Sequence, residues 1–304
     1  MILRLLGTAA GGGLPQWNCG CPNCRASRAP FSPVAPRTQA SAAVSADGEQ
    51  WFLLNVSPDV RAQIDAFPAL HPRALRDTPI GGVVLTNGDI DACLGLFILR
   101  EDQALHVYAT GAVERGLREH NALVRTLERR AGQTAWNPLR RGEVRPLVGA
   151  AGPSGLSIEV IAVPGTVPLH LKQLVEPSPE DNVAVILRDG HGRSLVYAPS
   201  VGGYSAELES HARSADVLVF DGTFFRDDEL TALGLTTRTA RDMAHWPLAG
   251  PEGSLGFLAK MPCAHKILTH VNNTNPVLRA SAPERGDVSR AGVVVGHDGL
   301  EVRL

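Results

Sequence analysis

Three of the chain's five cysteines, Cys19, Cys21 and Cys24, fall within six residues, behind a glycine turn at Gly11-Gly12-Gly13 and the link Leu14-Pro15-Gln16-Trp17-Asn18. Thiolates bind Zn²⁺ tetrahedrally at about 2.3 Å, and a C-x-C-x-x-C run in a tight loop can aim three sulfurs at one point. Disulfides between such near neighbours would be strained. Residues 11–24 are therefore expected to form a structural zinc clasp whose fourth ligand comes from elsewhere. The plainer alternative is three unrelated thiols in a surface loop. Cys93 and Cys263 are expected to be free.

A second set of polar side chains follows short apolar runs, where α/β folds build their sites. After Val83-Val84-Leu85 comes Thr86-Asn87-Gly88-Asp89-Ile90-Asp91. Its two carboxylates can bind a hard or borderline cation, or one can simply cap the next helix. Asp221, in Phe220-Asp221-Gly222-Thr223, is either a ligand or a turn former. His245 sits in Met243-Ala244-His245-Trp246-Pro247, and His270 closes an apolar run before Val271-Asn272-Asn273-Thr274-Asn275-Pro276. Imidazole is the common ligand and proton carrier near neutral pH. His106, His120, His191, His211 and His297 are read instead as hydrogen-bonded structural residues. The asparagines after His270 can hold a strained turn or orient a ligand.

Positioning these groups takes alternating strands and helices. Strand patterns cover residues 2–6, 51–56, 82–86, 105–109, 158–163, 183–187, 195–197, 217–220 and 266–269. Helical patterns cover 58–66, 91–100, 112–131 and 251–260, and 164–181 reads as a long, functional loop over one edge. The class is α/β, and two similar halves packed face to face are allowed. With 304 residues, 44% of them apolar, the chain can bury a large core. Its 29 basic and 31 acidic residues give no electrostatic footprint for nucleic acid or an anionic membrane. No window approaches a membrane span or a signal-peptide cleavage region, so a cytoplasmic location is expected.

Taken together, Gly11-Gly12-Gly13-Leu14-Pro15-Gln16-Trp17-Asn18-Cys19, Thr86-Asn87-Gly88-Asp89-Ile90-Asp91, Phe220-Asp221-Gly222-Thr223 and His270-Val271-Asn272-Asn273-Thr274-Asn275-Pro276 closely resemble the B proteins of coenzyme PQQ biosynthesis, a metallo-β-lactamase-like family. The resemblance spans nearly the whole chain. It implies one domain over 1–304, folded as a four-layer αββα sandwich, and a role in making pyrroloquinoline quinone (PQQ). It further implies iron- and oxygen-dependent hydroxylation of the tyrosine of a Glu–Tyr unit derived from a precursor peptide. An older view of the family has it carrying PQQ across the membrane. The implied partners are that precursor and PQQ itself, with no nucleic acid and no membrane span; a homodimer is compatible.

The resemblance assigns Cys19, Cys21 and Cys24 to structural zinc and places the fourth ligand near Asn273, with water or His265 as alternatives. The superfamily's His-x-His-x-Asp-His motif reads here as Asn87-Gly88-Asp89-Ile90-Asp91-Ala92. The PQQ family usually keeps its final Asp-His, so Ala92 departs from both patterns. Asp91 and His270 match surviving metal ligands, Asp221 the superfamily's bridging aspartate, and His245 a general acid of phosphodiesterase relatives. A non-haem Fe(II) site normally has two histidines and one carboxylate. The third ligand would be Asp89, Asp221 or His170, and weakened iron binding is expected. Two-zinc hydrolysis needs more ligands than remain. A non-catalytic carrier for PQQ or its precursor, favoured by Ala92, is the alternative function.

Overall fold

The computed structural model describes residues 1–101 and 103–304. Strands β1 (Ile2–Gly7), β2 (Ser41–Ser45), β3 (Trp51–Leu54), β4 (Ile80–Val84), β5 (Leu105–Thr110) and β6 (Thr134–Leu139) build a first sheet. Strands β7 (Arg145–Gly149), β8 (Gly152–Ala162), β9 (Val183–Asp189), β10 (Ser194–Ala198), β11 (Val217–Asp221), β12 (His265–Thr269) and β13 (Val294–Val295) build a second. The last strand, β14 (Glu301–Arg303), returns to pair with β1. The orders are β14-β1-β2-β3-β4-β5-β6 and β13-β12-β11-β10-β9-β8-β7. In each sheet the strands from one edge to the centre pair antiparallel and the remainder parallel, so the expected likeness of the two halves is present in strand pairing.

Period-two alternation divides the apolar residues between faces. Leu3, Leu5, Phe52, Leu54 and Val84 of the first sheet meet Ile158, Val185, Tyr197, Val217 and Val219 of the second in a central core. Leu53, Val83 and Val107 point outward, over the first sheet's helices, and Ala184, Ile186, Leu218 and Phe220 outward over the second's. Three apolar layers between two sheets and two helical faces make the αββα sandwich.

The helices are α1 (Pro22–Arg28), α2 (Val60–Asp65), α3 (Ile90–Cys93), α4 (Gly95–Ile98), α5 (Gly111–Glu119), α6 (Ala206–Ser214), α7 (Ser254–Ala259) and α8 (Pro283–Arg290). The helix expected over 112–131 stops early. Helix α5 ends before His120, and the Asn121 side chain caps a separate 3₁₀ turn, Ala122–Thr126, by accepting from the Leu123 amide. Asparagine's short side chain competes with helical backbone bonding. The pattern over 91–100 likewise resolves into two short turns, α3 and α4. Strands β2, β6, β7, β13 and β14 escaped the sequence patterns: the small residues of β2 carry little alternation, β6 and β7 are edge strands containing Pro138 and Pro146, and β13 and β14 are only two and three residues long. Residues 164–181 are irregular apart from the turn Leu169–Leu171, as expected of a loop. Among the described residues no helix is long and apolar enough to cross a membrane.

Candidate active site and metal clasp

The clasp forms because α1 begins at Cys21, whose sulfur accepts the Cys24 amide at 3.4 Å, while the Cys19 sulfur accepts the Cys21 amide at 3.4 Å. These turns bring the three sulfurs within 4.8 Å of one another. The buried Asn273 amide closes the fourth side, its Nδ2 standing 3.1, 3.6 and 3.3 Å from the sulfurs of Cys19, Cys21 and Cys24. A half-turn of that amide would present Oδ1 instead. In a tetrahedral zinc site an oxygen ligand lies about 3.5 Å from each sulfur, so the cage dimensions fit a cation with Asn273 at its apex. Burial pushes the Cys24 thiol up to about 11, whereas the Cys21 amide and neighbouring donors hold Cys19 below its ordinary value despite its own burial. Holding Cys24 as a thiolate at neutral pH therefore takes a cation beside it. His265 is exposed at the start of β12, the strand end remote from Asn273.

The second site lies where β4, β11 and β12 end, the carboxyl edge of their parallel strands. At its floor His270 Nε2 stands 2.9 Å from Asp91 Oδ2. Two ligands about 2.1 Å from one metal and at right angles stand about 3.0 Å apart, so this edge fits a cation. Against burial, which raises it, the His270 hydrogen bond and charge hold the Asp91 carboxyl below its usual range. Burial would lower His270, but Asp91 and Asp221 raise it. Asp89 lines the same cavity, its carboxyl pushed up to about 6 by burial and then by Asp91.

Behind the floor runs a hydrogen-bonded relay. Thr223 Oγ1 lies 2.7 Å from His270 Nδ1 and 2.5 Å from Asp221 Oδ1. With Thr223 donating to Asp221, its oxygen receives the His270 Nδ1 proton, so that a cation displacing the Nε2 proton shared with Asp91 would find a lone pair there. The other Asp221 oxygen accepts the Val201 amide at 2.9 Å and meets His245 Nδ1 at 2.7 Å. Asp221 is fully buried and does not line the cavity. The cluster Asp221, His245 and His270 has the donor set of an iron site, but the Thr223 hydroxyl occupies its middle. Asp221 thus serves as an anchor, and His245, fixed through Nδ1, lines the cavity with Nε2 not engaged by Asp221. His245 and His270 stack with ring centroids 5.3 Å apart. His270 and Ala244, which precedes His245, both adopt positive φ, 56° and 59°. Backbone strain of this kind clusters at functional sites.

These groups open into a cavity of about 450 Å³. Ala92 lines it beside Asp91, whereas His170 is exposed on the Leu169–Leu171 turn outside the lining. Asp91, Asp89, His245 and His270 line one cavity, and Thr223, assigned no role from sequence, lines it too. Its position two residues after a strand-end aspartate, across a glycine, is the signal that marks it.

A sandwich of two mixed sheets with metal-capable groups at its parallel strand ends defines a metallo-β-lactamase-type protein. Residues 50–271 match the Beta-lactamase superfamily domain. Coenzyme PQQ synthesis protein B of Stutzerimonas stutzeri is 42% identical over the full length of both chains, and that of Rhizobium meliloti 43% over 99% of this chain and 97% of its own. The Zn²⁺-bound PqqB of Methylobacterium extorquens superposes with a TM-score of 0.92 at 39% identity, covering both chains completely. A diphosphatase of the PhnP family shares the fold, with a TM-score of 0.67 at 19% identity. The chain belongs to the coenzyme PQQ synthesis protein B family.

Proposed function

We propose that this chain acts in PQQ biosynthesis as an Fe(II)- and dioxygen-dependent hydroxylase of the tyrosine ring in a Glu–Tyr-derived precursor, with zinc stapling the Cys19, Cys21 and Cys24 clasp. The observation that carries the reading is the 2.9 Å Asp91–His270 edge at the floor of a cavity, in a chain of this family. Asp91 and His270 would hold the iron, with Asp89 as a third oxygen donor once it loses its proton. Iron, when bound, supplies the redox chemistry that activates dioxygen. One ring C–H becomes C–OH with an oxygen atom from dioxygen; the other oxygen leaves as water, with two electrons from an external reductant and two protons. His245 Nε2 takes the phenolic proton, and Asp221, bonded to Nδ1, stabilises the imidazolium that results. Thr223 keeps His270 in the tautomer whose Nε2 can bind metal.

A carrier for PQQ or its precursor is the second reading, and Ala92 favours it, because the cavity wall beside Asp91 lacks the family's imidazole. Anaerobic Fe(II) loading followed by oxygen-uptake and product assays on a tyrosine-containing precursor separates the two. Stoichiometric hydroxylation that disappears in His270→Ala supports the enzyme. Tight PQQ binding with no second metal and no oxygen uptake supports the carrier.

A further inference from the structure

The cavity holds two cations that the proposed chemistry leaves unused. Lys172 reaches its lining from the 164–181 loop, and Arg238 from the segment between β11 and α7. Among the described residues the Lys172 ammonium has no hydrogen bond or ion pair and acts on Asp89 only through its charge, and Arg238 donates to the Asp242 main-chain carbonyl, its charge acting on that residue's carboxylate without a hydrogen bond to it. Among the described residues the only acids on the lining are Asp89 and Asp91. Both belong to the floor, where a divalent cation would consume their charge. Apart from His245 and His270, the rest of the polar lining, such as Asn87, Asn182 and Ser200, is neutral, while Phe224, Leu230 and Met243 supply apolar wall. With a metal taking up the Asp89 charge, Lys172 loses its nearest acid and Arg238 keeps only the exposed Asp242 carboxylate, so both cations have charge and donors to spare beside a cavity of ligand size.

We infer that Lys172 and Arg238 form an anion-receiving rim, so that this site takes an aromatic polycarboxylate whose acid groups dock on the two cations while its ring lies against the apolar wall. The inference deepens the proposed function and rests on its placement of substrate in this cavity. It requires neither iron nor turnover. Lys172 and Arg238 act as specificity-determining residues: they select for carboxylates and touch no reacting atom. Carboxylates pair with arginine and lysine through charge-assisted hydrogen bonds, which at an exposed rim contribute modestly each and add up across two sites.

The test is a titration of the metal-loaded full chain with two probes, the tricarboxylate PQQ and its trimethyl ester, followed by tryptophan fluorescence at low and high salt. The inference expects the acid to bind at least tenfold more tightly than the ester at low salt, with the gap narrowing as salt rises. Lys172→Gln and Arg238→Gln should each weaken acid binding about fivefold and leave the ester unchanged, with Lys172→Arg restoring the loss. A variant that merely disturbs the loop would weaken both probes alike. Equal loss for both, or an undiminished acid preference in the double variant, overturns the inference. Should hydroxylation be absent while the acid preference stands and falls with the two cations, the rim is upheld and the hydroxylase reading is what fails. Hydroxylation without any acid preference gives the converse.

Discussion

The clasp and the cavity floor are built from the two ends of one turn, yet they treat a cation in opposite ways. His270, at the turn's start, faces Asp91, and Asn273, three residues on, faces Cys19, Cys21 and Cys24. Around the clasp, three sulfurs and an amide surround a point and two main-chain amides support the sulfurs. On the floor, two groups share one edge and the remaining directions open into the cavity. A coordination sphere closed by side chains suits a staple, whereas one left open suits chemistry on an exchangeable ligand. The comparison assigns stability to one region and reactivity to the other, although the four residues from His270 to Asn273 serve both.

The largest effect that could break this division is on rate. His270→Ala should remove the second metal and lower hydroxylation at least a thousandfold while zinc and fold persist, as read by metal analysis and product assay. Next, His245→Gln should keep both metals and lower the rate about a hundredfold, since only proton transfer is lost. On the clasp side the consequence reverses. Cys24 is wholly buried, and Cys24→Ser should release zinc and lower stability by about 3–5 kcal/mol, roughly 5–8 °C in Tm, in thermal unfolding.

A gain of function would sharpen the comparison. Ala92→His should return an imidazole to the floor and raise iron affinity about tenfold, measured by competition with a chelator, without moving the zinc. The smallest effect concerns Glu229, which secures the shared turn by accepting the Thr274 hydroxyl at 2.6 Å and the Phe225 amide at 2.8 Å. Burial raises its carboxyl to about 7. The folded chain therefore holds a proton there that the unfolded chain releases at lower pH, so this group's contribution to stability falls as pH rises through about 7. Glu229→Gln should raise Tm by a few degrees at pH 8 and leave it nearly unchanged at pH 5.

What the sequence disclosed follows the same line between local and distant interactions. The clasp was legible because its ligands lie within six residues, and β9 and β11 because fully buried strands read as apolar runs. The resemblance supplied the sandwich and paired Asp91 with His270, which stand 179 residues apart and which no local pattern connects. It also marked Asp221 as a bridging ligand, whereas its four hydrogen bonds make it a buried anchor. Hydrogen-bond saturation is a tertiary property, absent from the Phe220-Asp221-Gly222-Thr223 run itself. Thr223 went unassigned for the same reason. Its role depends on a chain brought from residue 270, and the local signal, a threonine two residues after a strand-end aspartate, does not name that partner.

The most direct measurement is metal stoichiometry by mass spectrometry on untagged protein reloaded anaerobically with Fe(II), compared with Asp91→Asn, His270→Ala and Cys24→Ser. The account predicts one zinc and close to one iron per chain, with iron alone lost in the first two variants and zinc lost in the third. One zinc and no iron in the unaltered chain, or iron retained in full after both floor substitutions, would contradict it.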